Sequence, residues 1–230
     1  MLQFIKKLYF SQFLKIFSIF NHKVRKYFLF LLLTFILFSC NTFSDVKENY
    51  NQKEKFLYSF NHFVGKKTYD KVKVLDKYFT LDCIGTVLAI YYKMGIDINL
   101  SSYTGNGVAR LFNYLKDNGK LYKNKIPKIG DFIFWDNTYD KNEDGILGND
   151  NLTHCGIVVE IEKDGTIQYI HANYVYGIVI EPMNLNYPDI YKDEDGKKIN
   201  SILALGASIK KHPHKWLSGN LFRSYGSIIY

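Results

Sequence analysis

Cysteine is scarce: three in 230 residues, too few for a disulfide scaffold and enough for one bridge at most once Cys40 is set aside. Acidic residues are missing altogether from residues 1–40. That stretch holds six Lys or Arg, so without it the formal net charge falls from +8 to +2. The basicity therefore belongs to a leader and not to a patch on a fold, which removes the main support for nucleic-acid binding. Long apolar runs are lacking too. Residues 27–38, YFLFLLLTFILF, are short for a membrane-crossing helix and have the length of a signal-peptide core, with Lys23, Arg25 and Lys26 ahead of them. There is no internal repeat.

The run ends at Leu37-Phe38-Ser39-Cys40, which resembles a lipobox. That resemblance implies a bacterial signal peptide over 1–40, cleavage before Cys40 and a lipid on the new N-terminus. An uncleaved membrane anchor is the alternative, since a second apolar stretch, Leu8 to Phe20, precedes the first. Either way the remainder is expected in the cell envelope, facing the periplasm or the exterior. Residues 41–55 are polar and read as a tether, and residues 56–230 as one domain, with a core over 56–182 and an extension over 183–230.

Within the domain, Phe56, Phe60 and Phe63 suit an amphipathic helix closing near Gly65, while residues 66–80 leave helix and loop both open. Val87, Leu88, Tyr91 and Met94 follow helical spacing after Asp82, a capping residue, and before Gly95, a stop. Another helix is expected from about Val108 to Asp117. The period then changes to two, giving strands over 131–135, 154–161, 166–172 and 177–181, with a turn signal at Asp164-Gly165. Helices first and antiparallel strands after is an α+β arrangement, with the sheet packed on the Cys83 helix. The aromatic tail, Ser201 to Tyr230, is expected to pack on the domain.

Cys83 falls at the first turn of its helix, where unpaired N–H groups and the helix dipole favour thiolate over thiol. A nucleophilic cysteine needs a histidine to carry the proton and a third group to orient that imidazole. His22 is in the leader, His62 on the first helix, and His212 and His214 among Lys and Pro in the tail. His154 and His171, on neighbouring strands, are placed for chemistry.

Asp82-Cys83-Ile84-Gly85, Pro127-Lys128-Ile129-Gly130-Asp131-Phe132-Ile133-Phe134, His154-Cys155-Gly156-Ile157-Val158 and Ile170-His171-Ala172 occur in this order. Together they resemble the papain-like NlpC and CHAP cell-wall cysteine peptidases, although Ile84 stands where the NlpC type commonly has serine. The resemblance implies a papain-like fold over roughly residues 56–182. It also implies Cys83 as nucleophile, His154 as general base and acid, His171 as orienting residue, and an oxyanion site at the helix start. Asn173 is a second candidate for the orienting role. The implied activity is hydrolysis of an amide or peptide bond in the peptidoglycan stem peptide, by a monomer held to the membrane through its lipid. A hydrolase of non-wall amides or acyl groups, and a non-catalytic wall-binding lipoprotein, are the alternatives. Cys155 reads as a buried reduced thiol rather than a partner for a bridge to Cys83.

A plain two-residue turn at Asp164-Gly165 would set His171 opposite Val158, four residues or about 13 Å from the level of His154. A longer loop or a bulge is therefore expected. Between the first two of these strands, Asp140, Asn142, Asp144, the Ile146 carbonyl and Asp150 follow the spacing of an EF-hand-like loop, with Gly145 at the sharp turn and Asn151 in place of the closing glutamate. The expected occupant is a structural calcium ion.

Overall fold

The computed structural model describes residues 53–146, 148–204 and 216–228, together with residues 26, 27 and 30. Cys40, His22, His212 and His214 lie outside the described residues, as does Leu147 in the acidic loop. The chain divides into two compact units, and the one beginning at Lys53 carries the sheet. It is an α+β unit with few helices and a large antiparallel sheet.

A first helix, α1, covers residues 53–61 and puts Phe56 and Phe60 into the core, with Phe63 following in the turn that ends at Gly65. Residues 66–80, left open between helix and loop, contain a hairpin of β1 (Lys71–Val74) and β2 (Lys77–Thr80). Its turn carries no glycine, and Leu75 itself takes the left-handed φ of 54°. Then come α2 (Cys83–Lys93) and α3 (Gly107–Asp117), capped by the side chains of Asp82 and Asn106.

Six strands follow: β3 (Leu121–Tyr122), β4 (Phe132–Trp135), β5 (His154–Ile161), β6 (Ile167–Asn173), β7 (Gly177–Met183) and β8 (Phe222–Gly226). They form one sheet in the order β3-β8-β4-β5-β6-β7. The tail thus does more than pack on the domain. Its β8 is an interior strand, paired with β3 on one side and β4 on the other.

Both faces of the sheet are covered, which is why all four residues of β4 are buried. One face, with Phe132, Phe134, Cys155, Ile157, Ile170 and Ala172, packs against α2 and α3. Tyr91 stacks on Phe132 at 4.6 Å between ring centres and its hydroxyl donates to the Gly130 carbonyl. The other face, with Ile133, Trp135, Val158 and Tyr169, is covered by Leu203, Ala204 and Leu221 from the segment after β7. Trp135 Nε1–H donates to the Ser218 carbonyl at 2.9 Å, and the Tyr169 hydroxyl meets Ser201. Burial of an aromatic or aliphatic side chain at such positions stabilises the fold by about 1.5–3 kcal/mol each.

Candidate active site

Cys83 is the first residue of α2. The carboxylate of Asp82 accepts from the Gly85 N–H at 2.6 Å, fixing the helix start. Gly85 is required there, because a Cβ at that position would sit 1.8 Å from the Thr80 carbonyl oxygen. Helix and β2 therefore approach more closely than any side chain would permit, and Cys83 is held half-buried where they meet.

The histidines are brought together by register. The β5–β6 turn has three residues, Lys163-Asp164-Gly165: Glu162 N–H donates to Thr166 at 2.8 Å, Gly165 N–H donates to Glu162 at 3.1 Å, and Gly165 has φ 85°. That moves the pairing one residue from the two-residue register. A bulge between Val158 and Glu160 moves it one more, so that Ile157 pairs with Ile170 and Val158 with Tyr169. Continuing that register sets His171 across from Gly156, one diagonal step from His154 on the same face. A Cβ on Gly156 would meet the Ile170 carbonyl oxygen at 2.8 Å and the His171 Cβ at 3.3 Å, so its absence leaves space for the imidazole.

The result is a line of side chains. Cys83 and His154 line one cleft, and the Cys155 thiol lies against the Cys83 backbone. His154 Nε2 lies 2.9 Å from His171 Nδ1, and His171 Nε2 lies 3.0 Å from Glu181 Oε2. Lys198 Nζ lies 3.4 Å from the other oxygen of Glu181. His171 is 1 % exposed and Glu181 is 8 % exposed.

Burial pushes the His171 pKa down against the pull of Glu181, so its ring is neutral. Burial pushes the Glu181 carboxyl up, but the His171 hydrogen bond and Lys198 more than offset that, and it stays ionised below the usual range. A carboxylate can only accept, so His171 donates from Nε2 and accepts at Nδ1. His154 must then donate from Nε2, which leaves Nδ1 as the nitrogen free to exchange a proton. The negative charge of Glu181 thereby sets the tautomer of both rings.

The Cys155 thiol and then His154 hold the Cys83 thiol well below its ordinary range, against the opposing effect of burial. Burial and the neighbouring Cys83 push Cys155 well above its own range. Cys155 is thus a fully buried reduced thiol, and its Sγ–H also donates to the Cys83 carbonyl at 3.4 Å. A cleft of about 570 Å³ opens over Cys83, lined among others by Tyr69, Tyr139, Tyr174, Tyr176 and Leu203. Burial and then Cys83 raise the Tyr139 phenol, which stays protonated on the wall of the same cleft.

The structure gathers Cys83, His154 and His171. Asn173 is turned elsewhere: its Oδ1 accepts from the Val175 and Tyr176 amides at 2.8 and 3.1 Å, and its amide is 3.5 Å from Glu181. His62 lies in the exposed turn just past α1, away from these residues. Glu181, Lys198 and the Cys155 contact were not legible in the sequence. The one available signal was Glu181 itself, a carboxylate set among apolar residues in β7. Glu181→Gln removes the charge that holds both rings in place and should move the alkylation curve of Cys83 toward higher pH, while leaving the melting temperature within a few degrees. Alkylation rate against pH and thermal unfolding measured on the same preparation check this, and an unmoved curve would remove Glu181 from the line.

The acidic loop joins β4 to β5. Asp140 accepts from Gly145 N–H at 2.9 Å, Asp144 from Ile146 N–H at 2.7 Å, and Asp150 from Asn142 N–H at 3.3 Å. Oδ1 of Asp140 and Oδ2 of Asp150 have no hydrogen-bond partner. Asp150 is 2 % exposed, so an unpartnered carboxyl oxygen there is costly.

Compared with protein-family models, with curated proteins and with solved structures, the chain matches none.

Proposed function

We propose that this protein is a papain-like cysteine hydrolase of the bacterial cell envelope that cleaves an amide or peptide bond in the peptidoglycan stem peptide. The observation that carries the chemistry is that Cys83 and His154 line one cleft, with His154 joined through His171 to Glu181. In this reading the Cys83 thiolate attacks the substrate carbonyl in the cleft. The Cys83 N–H, at the start of α2 and without an intrahelical acceptor, stabilises the oxyanion. His154 Nδ1, protonated in the ion pair, gives its proton to the leaving amine. It then takes one from the water that releases the acyl group. His171 and Glu181 hold the ring in place through both steps. The substrate class rests on the motif resemblance alone. It is tested by digesting purified peptidoglycan with the protein and identifying new termini by mass spectrometry; intact stem peptides would refute it.

Lipid attachment at Cys40 belongs to the same proposal and rests on the lipobox-like Leu37-Phe38-Ser39-Cys40. Metabolic labelling with a fatty-acid analogue should mark the wild type and not Cys40→Ala, and equal labelling of both would refute it.

A structural calcium ion in the loop is also proposed. Among the described residues no three Asp, Glu, His or Cys side chains form a preset metal cluster, and the donor set counts an amide and a peptide carbonyl with its carboxylates. Asp140, Asn142, Asp144, the Ile146 carbonyl and Asp150 would hold the ion, and the two unpartnered oxygens fit a hard cation. Its part would be to fix the path into β5 ahead of His154. Calcium at a hundredfold excess over its dissociation constant should stabilise the fold by about 2.7 kcal/mol. Asp150→Asn should lose that gain and be no less stable than the wild type in chelator. Melting curves of both proteins with calcium and with chelator check this, and a wild type indifferent to calcium would refute the site.

A further inference from the structure

The mechanism makes no chemical use of Cys155, yet the structure places its thiol against the nucleophile. Its Sγ is 3.4 Å from the Cys83 carbonyl oxygen, and the Cys83 side chain packs against the same core cluster that holds Cys155. Access to the two differs. Cys83 is half-buried on the wall of the cleft, whereas Cys155 is 0 % exposed, facing the core between sheet and α2. An oxidant from solvent therefore reaches Cys83 first.

We propose that Cys83 and Cys155 are a reversible redox pair, in which a hydroperoxide oxidises Cys83 and Cys155 resolves the product as an intramolecular disulfide. In the first step the Cys83 sulfur attacks one peroxide oxygen. An S–O bond forms, the O–O bond breaks, and the displaced hydroxide leaves as water after taking a proton from solvent. In the second step the Cys155 sulfur attacks the sulfenic sulfur of Cys83. The S–S bond forms, the S–O bond breaks, and the hydroxyl departs with the Cys155 proton as a second water. Two thiols have then lost two electrons to one peroxide, and an external dithiol reverses the change by exchange.

Two features favour the disulfide over further oxidation of Cys83. The resolving thiol is packed beside the sulfur it must attack, so no loop has to move to deliver it. Water and a second peroxide approach only from the cleft, and the disulfide turns the Cys83 sulfur away from His154 toward the core. The outcome is a nucleophile that is silenced under oxidation and recovered afterwards, instead of being lost to sulfinic acid.

The test uses the full chain and needs no substrate, so it is independent of the hydrolase reading. The protein is treated with at least two equivalents of hydrogen peroxide, enough to carry an unresolved Cys83 on to sulfinic acid, blocked with N-ethylmaleimide after denaturation, and mapped by non-reducing peptide mass spectrometry. The expected result is a peptide pair joined through Cys83 and Cys155, lighter than the two thiol peptides by two hydrogens and separated by dithiothreitol. Cys155→Val should instead accumulate Cys83 sulfinic acid that dithiothreitol does not recover. Wild-type protein carrying Cys83 sulfinic acid with Cys155 still blocked by maleimide would overturn the proposal, as would a bridge from Cys83 to Cys40. Should Cys155→Val fail to fold, the wild-type map decides alone.

Discussion

Cys83→Ala is expected to reduce hydrolysis by on the order of 10⁴-fold or more and to leave the fold intact. The fold survives because Cys83 occupies the first position of α2, whose start is fixed by Asp82 and Gly85, and alanine is the residue most at ease in a helix. Activity is lost because, among the described residues, the cleft holds no other cysteine. Cys155 cannot substitute, since it lies behind the helix start with its thiol pushed well above the usual range by burial. The depressed Cys83 thiol gives a second readout. A lowered pKa means that the thiolate persists as pH falls, so alkylation of Cys83 should stay fast well below pH about 8.5, where an ordinary cysteine slows. Hydrolysis rate, alkylation rate against pH and circular dichroism on the same preparations check the assignment. Activity retained in Cys83→Ala would end it.

His154→Ala is expected to cost about 10²–10⁴-fold, less than loss of the nucleophile because the thiol and the helix start remain. The change removes both the proton carrier and one of the groups that hold Cys83 as thiolate. The Cys83 alkylation curve should therefore move toward higher pH, though not all the way to an ordinary thiol, because the Cys155 contact persists. His171→Ala should cost less, since it orients His154 without touching the substrate. The alkylation profile separates the two roles, and an unmoved curve in His154→Ala would show that the imidazole does not act on the sulfur.

Much of the local structure could be read from the chain. Asp82 and Gly95 delimit α2 as capping chemistry dictates, and β5 runs over His154–Ile161 as its alternation indicates. The α+β class follows from that change of period. What stayed hidden was long-range or two-sided. The β1–β2 hairpin turns on Leu75 with a left-handed φ and no glycine to announce it. No local pattern places Phe222-Arg223-Ser224-Tyr225-Gly226 between strands a hundred residues upstream. The site shows the same division. The cysteine and histidines were legible as residue types in context, and the need for a register shift followed from strand geometry. The source of the shift, half from a three-residue turn and half from a bulge, was set by hydrogen bonds that alternation does not reveal. Glu181 escaped because a buried carboxylate in a strand has no periodic signature.

The interior position of β8 also constrains the order in which the molecule can be made. Gly226 pairs with Leu121, so closing that contact confines a loop of about a hundred residues, an entropic cost of about 4 kcal/mol before any pairing offsets it. Until synthesis has passed Gly226, β4 has an open edge beside it and Phe132 and Phe134 lack half their sheet. The nascent chain therefore cannot settle early into its finished form. Its assembly waits on a strand that arrives after every residue of the Cys83 to Lys198 line has already been made.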